Sequence, residues 1–158
     1  MNLILFVGLQ ASGKSTFYRT CFGLTHVLVS KDRLHNNRRP GRRQLQLVEQ
    51  ALASGRSVVV DNTNPTAEDR RPLIDLGRSF GALVAGYYFE SAIDDNLRRN
   101  QARTGRARVP DVALYATLKR LRTPTSGEGF DQLWRVRLTT DGTFDVARWA
   151  GGASDEAI

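Results

Sequence analysis

Residues 8–15, Gly8-Leu9-Gln10-Ala11-Ser12-Gly13-Lys14-Ser15, match the pattern G-x-x-x-x-G-K-[ST] in full. Each fixed position answers a need of a bound triphosphate. The glycines let the backbone curl until successive N–H groups point inward at phosphate oxygens. The Lys14 ammonium can reach the β- and γ-phosphates, and the Ser15 hydroxyl can ligate Mg²⁺. A helix opening at this point adds its positive N-terminal end. Gly8, Gln10, Ala11, Ser12, Gly13, Lys14, Ser15 and Thr16 therefore form the expected nucleotide cradle, with ATP and Mg²⁺ as its ligands.

The flanking residues fit that reading. Leu3-Ile4-Leu5-Phe6-Val7 is continuously apolar and β-prone, as a strand buried on both faces should be. Thr16 to Phe22 can continue as a helix. Because the apolar start lacks a basic leader and runs straight into the glycine loop, it reads as a first strand and not a signal peptide. No apolar run is long enough to span a bilayer. The cytoplasm is the expected compartment, which also suits a single cysteine, Cys21, expected as a small core residue of the first helix.

Strand and helix then alternate. The expected strands are His26–Ser30, Ser57–Val60, Ala82–Phe89 and Trp134–Leu138, with a further edge at Phe144–Trp149. The expected helices are Gln44–Ser54 (Leu45, Val48 and Leu52 inward), Thr66–Phe80 (Leu73, Ile74 and Leu76 inward), Ala92–Arg103 and Pro110–Arg122. Asn36–Arg43 reads as a basic loop. The spacing predicts an α/β domain in which a parallel sheet of about five strands is sandwiched between helices in right-handed crossovers. With 158 residues, 41% of them hydrophobic, one domain over residues 1–150 is expected, followed by a frayed tail at 151–158.

Ligands in such sheets bind beyond the carboxyl ends of the strands. Asp32 follows the second strand there, either as a general base for an attacking hydroxyl or as a helix N-cap. Asp61 closes the third strand, either positioning Mg²⁺ with Ser15 or bracing the turn that follows it. Arg98, Arg99, Arg103, Arg106 and Arg108 form either a lid over ATP or a solvated face; Arg99 and Arg103 would share one side of a helix. The net charge is +7 with only three lysines, so the positive charge is nearly all arginine. That suits a polyanionic partner, or merely a solvated surface. His26 and His35 have no metal-site spacing to the cysteine.

Taken together, Gly8–Ser15, Ser30-Lys31-Asp32-Arg33, Asp61-Asn62-Thr63-Asn64-Pro65, Arg99-Asn100 with Arg103, Val109-Pro110 and Pro124–Asp131 resemble the kinase domain of the polynucleotide 5′-hydroxyl kinase family, as found in polynucleotide kinase-phosphatases. The resemblance runs from residue 3 to about 138. It implies a P-loop NTPase-type fold with a helical, arginine-bearing lid. It also implies transfer of the γ-phosphoryl group of ATP to the 5′-OH of RNA or DNA, and with it nucleic acid repair. By the same resemblance Asp32 is the base, Lys14 and Ser15 hold phosphates and Mg²⁺, and Arg103 is the lid arginine with Arg99 nearby. Asp61 braces the acceptor side, and Arg33, His35, Arg38, Thr63 and Asn64 line the substrate. One departure stands out. The family often carries an arginine three residues after the base to grip a substrate phosphate, and here that position is His35. Either Arg33, Arg38 or Arg39 replaces it, or the grip is absent. A small-molecule kinase on a nucleoside, sugar or antibiotic hydroxyl, and a nucleotide-dependent binding module without transfer, are the competing readings.

Overall fold

The structure, a computed structural model, describes residues 1–149; the expected tail at 151–158 lies outside the described residues. Six strands form one sheet: β1 (Asn2–Val7), β2 (Val27–Val29), β3 (Val58–Val60), β4 (Leu83–Phe89), β5 (Gln132–Leu138) and β6 (Phe144–Arg148). Five α-helices accompany them: α1 (Lys14–Cys21), α2 (Pro40–Ala53), α3 (Ala67–Ser79), α4 (Ile93–Gln101) and α5 (Asp111–Arg120). The spatial order is β2-β3-β1-β4-β5-β6. The first five strands are mutually parallel, and β6 joins the edge antiparallel to β5. The expected parallel sheet is present, with the extra edge turned round because a short 139–143 hairpin cannot return the chain to a parallel start.

The continuous apolar runs of β1 and β3 are explained by cover on both faces. Leu3, Leu5, Val58, Val60 and Val84 face one way, packing with Val48 and Leu52 of α2 and Leu73 and Ile74 of α3. Ile4, Phe6, Val59, Ala85 and Phe89 face the other, against Phe17 of α1 and Phe144 of β6. Strand alternation thus divides one apolar string between two cores. On the second face Phe17 meets Phe6, Phe89 and Phe144 edge-on, with ring centroids 5.8, 5.3 and 5.1 Å away. This locks the first turn of α1, and so the phosphate loop, to the sheet.

Three expectations need correcting. Pro40–Arg43 is the first turn of α2 and not loop: Pro40 sits at the start of the helix, where its missing N–H costs nothing. Cys21 is exposed, because Phe17 occupies the inward face of α1. Helix α4 stops at Gln101, so Arg103 lies on the following segment and does not share a helix face with Arg99. There Asn100 reaches across the segment, its Nδ2 donating to the Val109 carbonyl (2.7 Å) and its Oδ1 accepting from the Val109 N–H (3.1 Å). No helix among the described residues is long and apolar enough to cross a membrane.

Close packing of α3 on the sheet depends on Gly77. A Cβ there would lie 2.7 Å from Leu3 Cδ2 and 2.9 Å from Val84 Cγ2, both in the buried core. Gly77→Ala should therefore destabilise the fold by about 1–3 kcal/mol through overpacking, despite alanine's better helix propensity. Denaturant unfolding checks this; an unchanged or raised midpoint would show that α3 can shift outward freely.

Candidate active site

Helix α1 begins directly on the phosphate loop. Gly13 occupies its N-cap position at φ 95°, a left-handed conformation that a side chain would resist. No side chain caps the helix and no acidic residue lies in its first turn, so its leading N–H groups are left to an anion. Ala11 also adopts positive φ (61°), which a small side chain tolerates best in so tight a loop.

The loop is held from two sides. On one side the turn after β3 meets it: the Gly8 N–H donates to the Thr63 carbonyl (3.0 Å), and Asn64 Nδ2 donates to the Phe6 carbonyl (2.8 Å). Asn64 itself has φ 42°. On the other side α4 meets it, with Asn96 Nδ2 donating to the Gln10 carbonyl (2.9 Å) and Arg99 Nε to the Ala11 carbonyl (2.7 Å). Arg99 Nε thus serves the loop backbone, and the residue is not among those that line the cleft.

Beneath the turn lies a guanidinium that is 0% exposed. Arg70 pairs with Glu128 through two contacts, Nε to Oε1 at 2.7 Å and Nη2 to Oε2 at 3.1 Å. Its Nη1 donates to the carbonyls of Asn64 (2.8 Å) and Arg122 (3.1 Å). Glu128 also accepts from the Thr125 N–H at 2.7 Å. Nearly every hydrogen-bonding group of this buried pair is used, which is what makes such a pair tolerable.

A cleft of about 730 Å³ opens over these elements. Gln10 to Thr16, Asp32, Asp61, Thr63, Asn64 and Arg103 all line it, as the motifs led one to expect. Arg19, Lys31, Asp69, Arg106 and Arg120 line it as well. Arg33, His35 and Arg38 do not. Lys14 is buried, and its Nζ donates to the carbonyls of Gly8 (3.0 Å) and Leu9 (2.6 Å). Burial lowers its ammonium from the usual lysine value to about 8, against an opposing pull from Asp61. Ser15 Oγ donates to Asp61 Oδ2 at 2.9 Å. Burial pushes the Asp61 carboxyl upward, while Lys14 and the Ser15 hydrogen bond hold it back.

Asp32 lies on a 3₁₀ turn, Lys31–Leu34, capped by Ser30, whose Oγ accepts the Asp32 N–H at 3.3 Å. The cap is Ser30, so the Asp32 carboxylate is not needed for that purpose. The side chain is exposed on the cleft wall. A relay between turns sets its position. Asn62 Oδ1 accepts the Lys31 N–H (2.9 Å), and Asn62 Nδ2 donates to Gln44 Oε1 of α2, a residue 4% exposed. His35 bridges onward. Its Nδ1 meets the Asp32 carbonyl at 3.2 Å, and its Nε2 faces Arg106 Nη1. A carbonyl only accepts, so Nδ1 is the donor in its contact with Asp32. His35 thus links the turn that carries Asp32 to the arginine segment, and it does not line the cleft.

Sequence reasoning missed Gln44, Asn96 and Arg70 as parts of the site. None matches a chemical motif. Each is an ordinary polar residue on a helix whose partner is 18, 86 or 58 residues away.

A parallel sheet switching direction beside β1, with a glycine loop and helix N-terminus at the switch, defines a P-loop phosphate-binding protein with a kinase-like fold. Family comparison narrows this: residues 3–124 match the family model AAA_33, an AAA domain. The chain belongs to that family. In Schizosaccharomyces pombe the bifunctional polynucleotide phosphatase/kinase is 27% identical over 139 residues, spanning 85% of this chain. The chain covers only 33% of that relative's length. Chaetomium thermophilum Kti12 in complex with ADP-AlF3 superposes with TM-score 0.71 at 16% identity, covering 85% of this chain and 88% of the other. A chain of a Pnkp1/Rnl/Hen1 complex superposes with TM-score 0.56 at 22% identity, covering 62% and 38%. The polynucleotide kinase-like resemblance drawn from the motifs is borne out.

Removing Glu128 leaves a buried guanidinium without its counter-charge. Glu128→Ala should cost about 3–5 kcal/mol, and Glu128→Gln less. Chemical denaturation of the two variants checks this; a loss below about 1 kcal/mol for Glu128→Ala would mean that water reaches Arg70.

Proposed function

We propose that the chain is an ATP-dependent phosphotransferase acting on the 5′-OH end of a polynucleotide. The observation that carries this reading is the shared cleft: an exposed carboxylate, Asp32, lines it together with the phosphate loop and Arg103, and the charges of Asp32 and Arg103 both act on Lys14 of that loop. The chemistry is a direct exchange. The acceptor oxygen bonds to the γ-phosphorus as the bond to the β–γ bridging oxygen breaks, ADP leaves, and the hydroxyl proton passes to Asp32. Lys14 and Arg103 neutralise charge on the phosphoryl oxygens, and the first-turn N–H groups of α1 hold the β-phosphate side. Likeness to a polynucleotide phosphatase/kinase favours the 5′-OH acceptor.

The Ser15 hydroxyl and Asp61 carboxylate, 2.9 Å apart, form a hard oxygen pair suited to Mg²⁺. Bound there, the ion would neutralise phosphate charge. The Ser15 hydroxyl donates to that carboxylate, which sets the two oxygens side by side.

Asp32→Asn should lower transfer about 10²–10⁴-fold, as loss of a general base does, with nucleotide affinity little changed. A radiolabelled γ-phosphate transfer assay across 5′-OH oligonucleotides, nucleosides and sugars reads the first, and calorimetry the second. Turnover retained in Asp32→Asn would remove Asp32 from the mechanism. Preference for a free nucleoside or sugar would move the chain to a small-molecule acceptor.

Lys14 supplies a second check. Its ammonium loses a proton at about pH 8 in the folded chain, against 10.5 for the ordinary group. Between these values the folded chain binds fewer protons than the unfolded one, so this group's contribution to stability rises with pH. A triphosphate restores the charge, so ATP binding at pH 9 should take up roughly 0.5–1 proton, and little at pH 7. Calorimetry in buffers of different ionisation enthalpy measures this. Lys14→Met should abolish the uptake; an uptake that persists would assign it to another group.

A further inference from the structure

Beyond the cleft lies a second concavity of about 590 Å³, lined by Asn37, Arg38, Arg39, Arg42, Arg43 and Gln46. It is built on the entry to α2, whose N-cap has no side-chain hydrogen bond and whose first turn has no acidic residue. From Arg33 to Val48 the sequence contains no aspartate or glutamate. None of the ion pairs among the described residues involves these arginines. Arg43 Nη1 donates to Gln46 Oε1 at 3.3 Å, while Arg38, Arg39 and Arg42 are exposed. Four guanidinium groups gathered without counter-charge repel one another, and that repulsion is relieved by an anion with several charges in a row.

Building on the polynucleotide reading above, we infer that this concavity is a backbone clamp. It would hold internal phosphodiester groups of the acceptor strand whose 5′-OH lies at Asp32. Its position sets a length. Arg38 is six residues beyond Asp32, so even an extended chain keeps the two Cα atoms within about 20 Å. At the roughly 3.4 Å axial rise of a B-form strand, 20 Å is about six nucleotides, so the near edge of the clamp lies within that length of the 5′ end. The clamp reads charge and not base, since arginine contacts to phosphate carry no sequence information. It would also supply the substrate-phosphate grip, since His35 contacts Asp32 and Arg106 and does not line the cleft.

The test uses 5′-OH oligothymidylates and oligouridylates of 2, 4, 8 and 16 nucleotides. For the natural chain, kcat/KM should climb with length and level off by about eight nucleotides. Arg42→Ser with Arg43→Ser should raise the KM of the 8-mer and 16-mer roughly tenfold with kcat little changed. It should also flatten the length profile and reduce the salt dependence of KM by about 0.7 per lost phosphate contact. Arg56→Ser with Arg71→Ser, two exposed arginines outside the concavity, serves as the charge-matched control and should keep the profile. Anisotropy of a 3′-labelled 16-mer gives binding independently of turnover, and there the double variant should bind about tenfold more weakly. A flat profile in the natural chain, or a length preference and affinity that survive the double substitution, overturns the clamp while leaving the 5′-OH assignment standing. Failure to phosphorylate any oligonucleotide while another alcohol is phosphorylated overturns the assignment itself. In that case unaltered 16-mer binding by the double variant removes the clamp too.

Discussion

A single buried guanidinium organises the floor of the site. Arg70 is paired to Glu128 on one edge and donates to the Asn64 carbonyl on the other, which fixes the turn after β3. That turn in turn holds the phosphate loop, through Thr63 to Gly8 and Asn64 to Phe6. A buried ion pair of this kind contributes little net stability, since desolvation offsets much of the attraction. Its consequence is geometric. Charge-assisted hydrogen bonds tolerate little angular freedom, so a loop that must present its N–H groups at fixed spacing is braced by the stiffest contact available.

The remaining polar contacts extend that brace in two directions. Toward α4, Asn96 and Arg99 occupy carbonyls of the loop, leaving its N–H groups to face the cleft. Toward α2, the Gln44–Asn62 relay aligns the turn that carries Asp32. Three segments far apart in sequence thereby share one frame of reference. Phosphoryl transfer depends mainly on positioning and charge neutralisation, so this framework matters more to the proposed reaction than any one reactive group. Between the frame and solvent, His35 joins Arg106 to the Asp32 turn.

Much of this was legible in the chain. The glycine pattern located the cradle, because backbone curvature and phosphate charge restrict residue choice at fixed spacing. Alternating apolar strings and capped polar helices located the layers, since burial demands period and length. Arg103 was expected on a helix face and lies on a segment beyond it. Helix ends are decided by local competition, here by Asn100 capturing both polar groups of Val109, and no periodicity records that. Cys21 was expected inside and points out, because an eight-residue helix has one inward stripe and Phe17 fills it.

The amino-acid order by itself determined the phosphate loop, the parallel α/β layering and the carboxylates at the ends of β2 and β3, since each follows from short-range rules of charge, curvature and burial. Only the tertiary structure decided what those groups face. It turned Arg99 onto a backbone carbonyl, brought Asp61 to Ser15, set His35 against Asp32 and Arg106, and gathered four arginines at the entry to α2 around one concavity. The physical reason is that a side chain's partner is set by where the sheet carries distant segments, and contacts spanning tens of residues leave no local trace in the sequence.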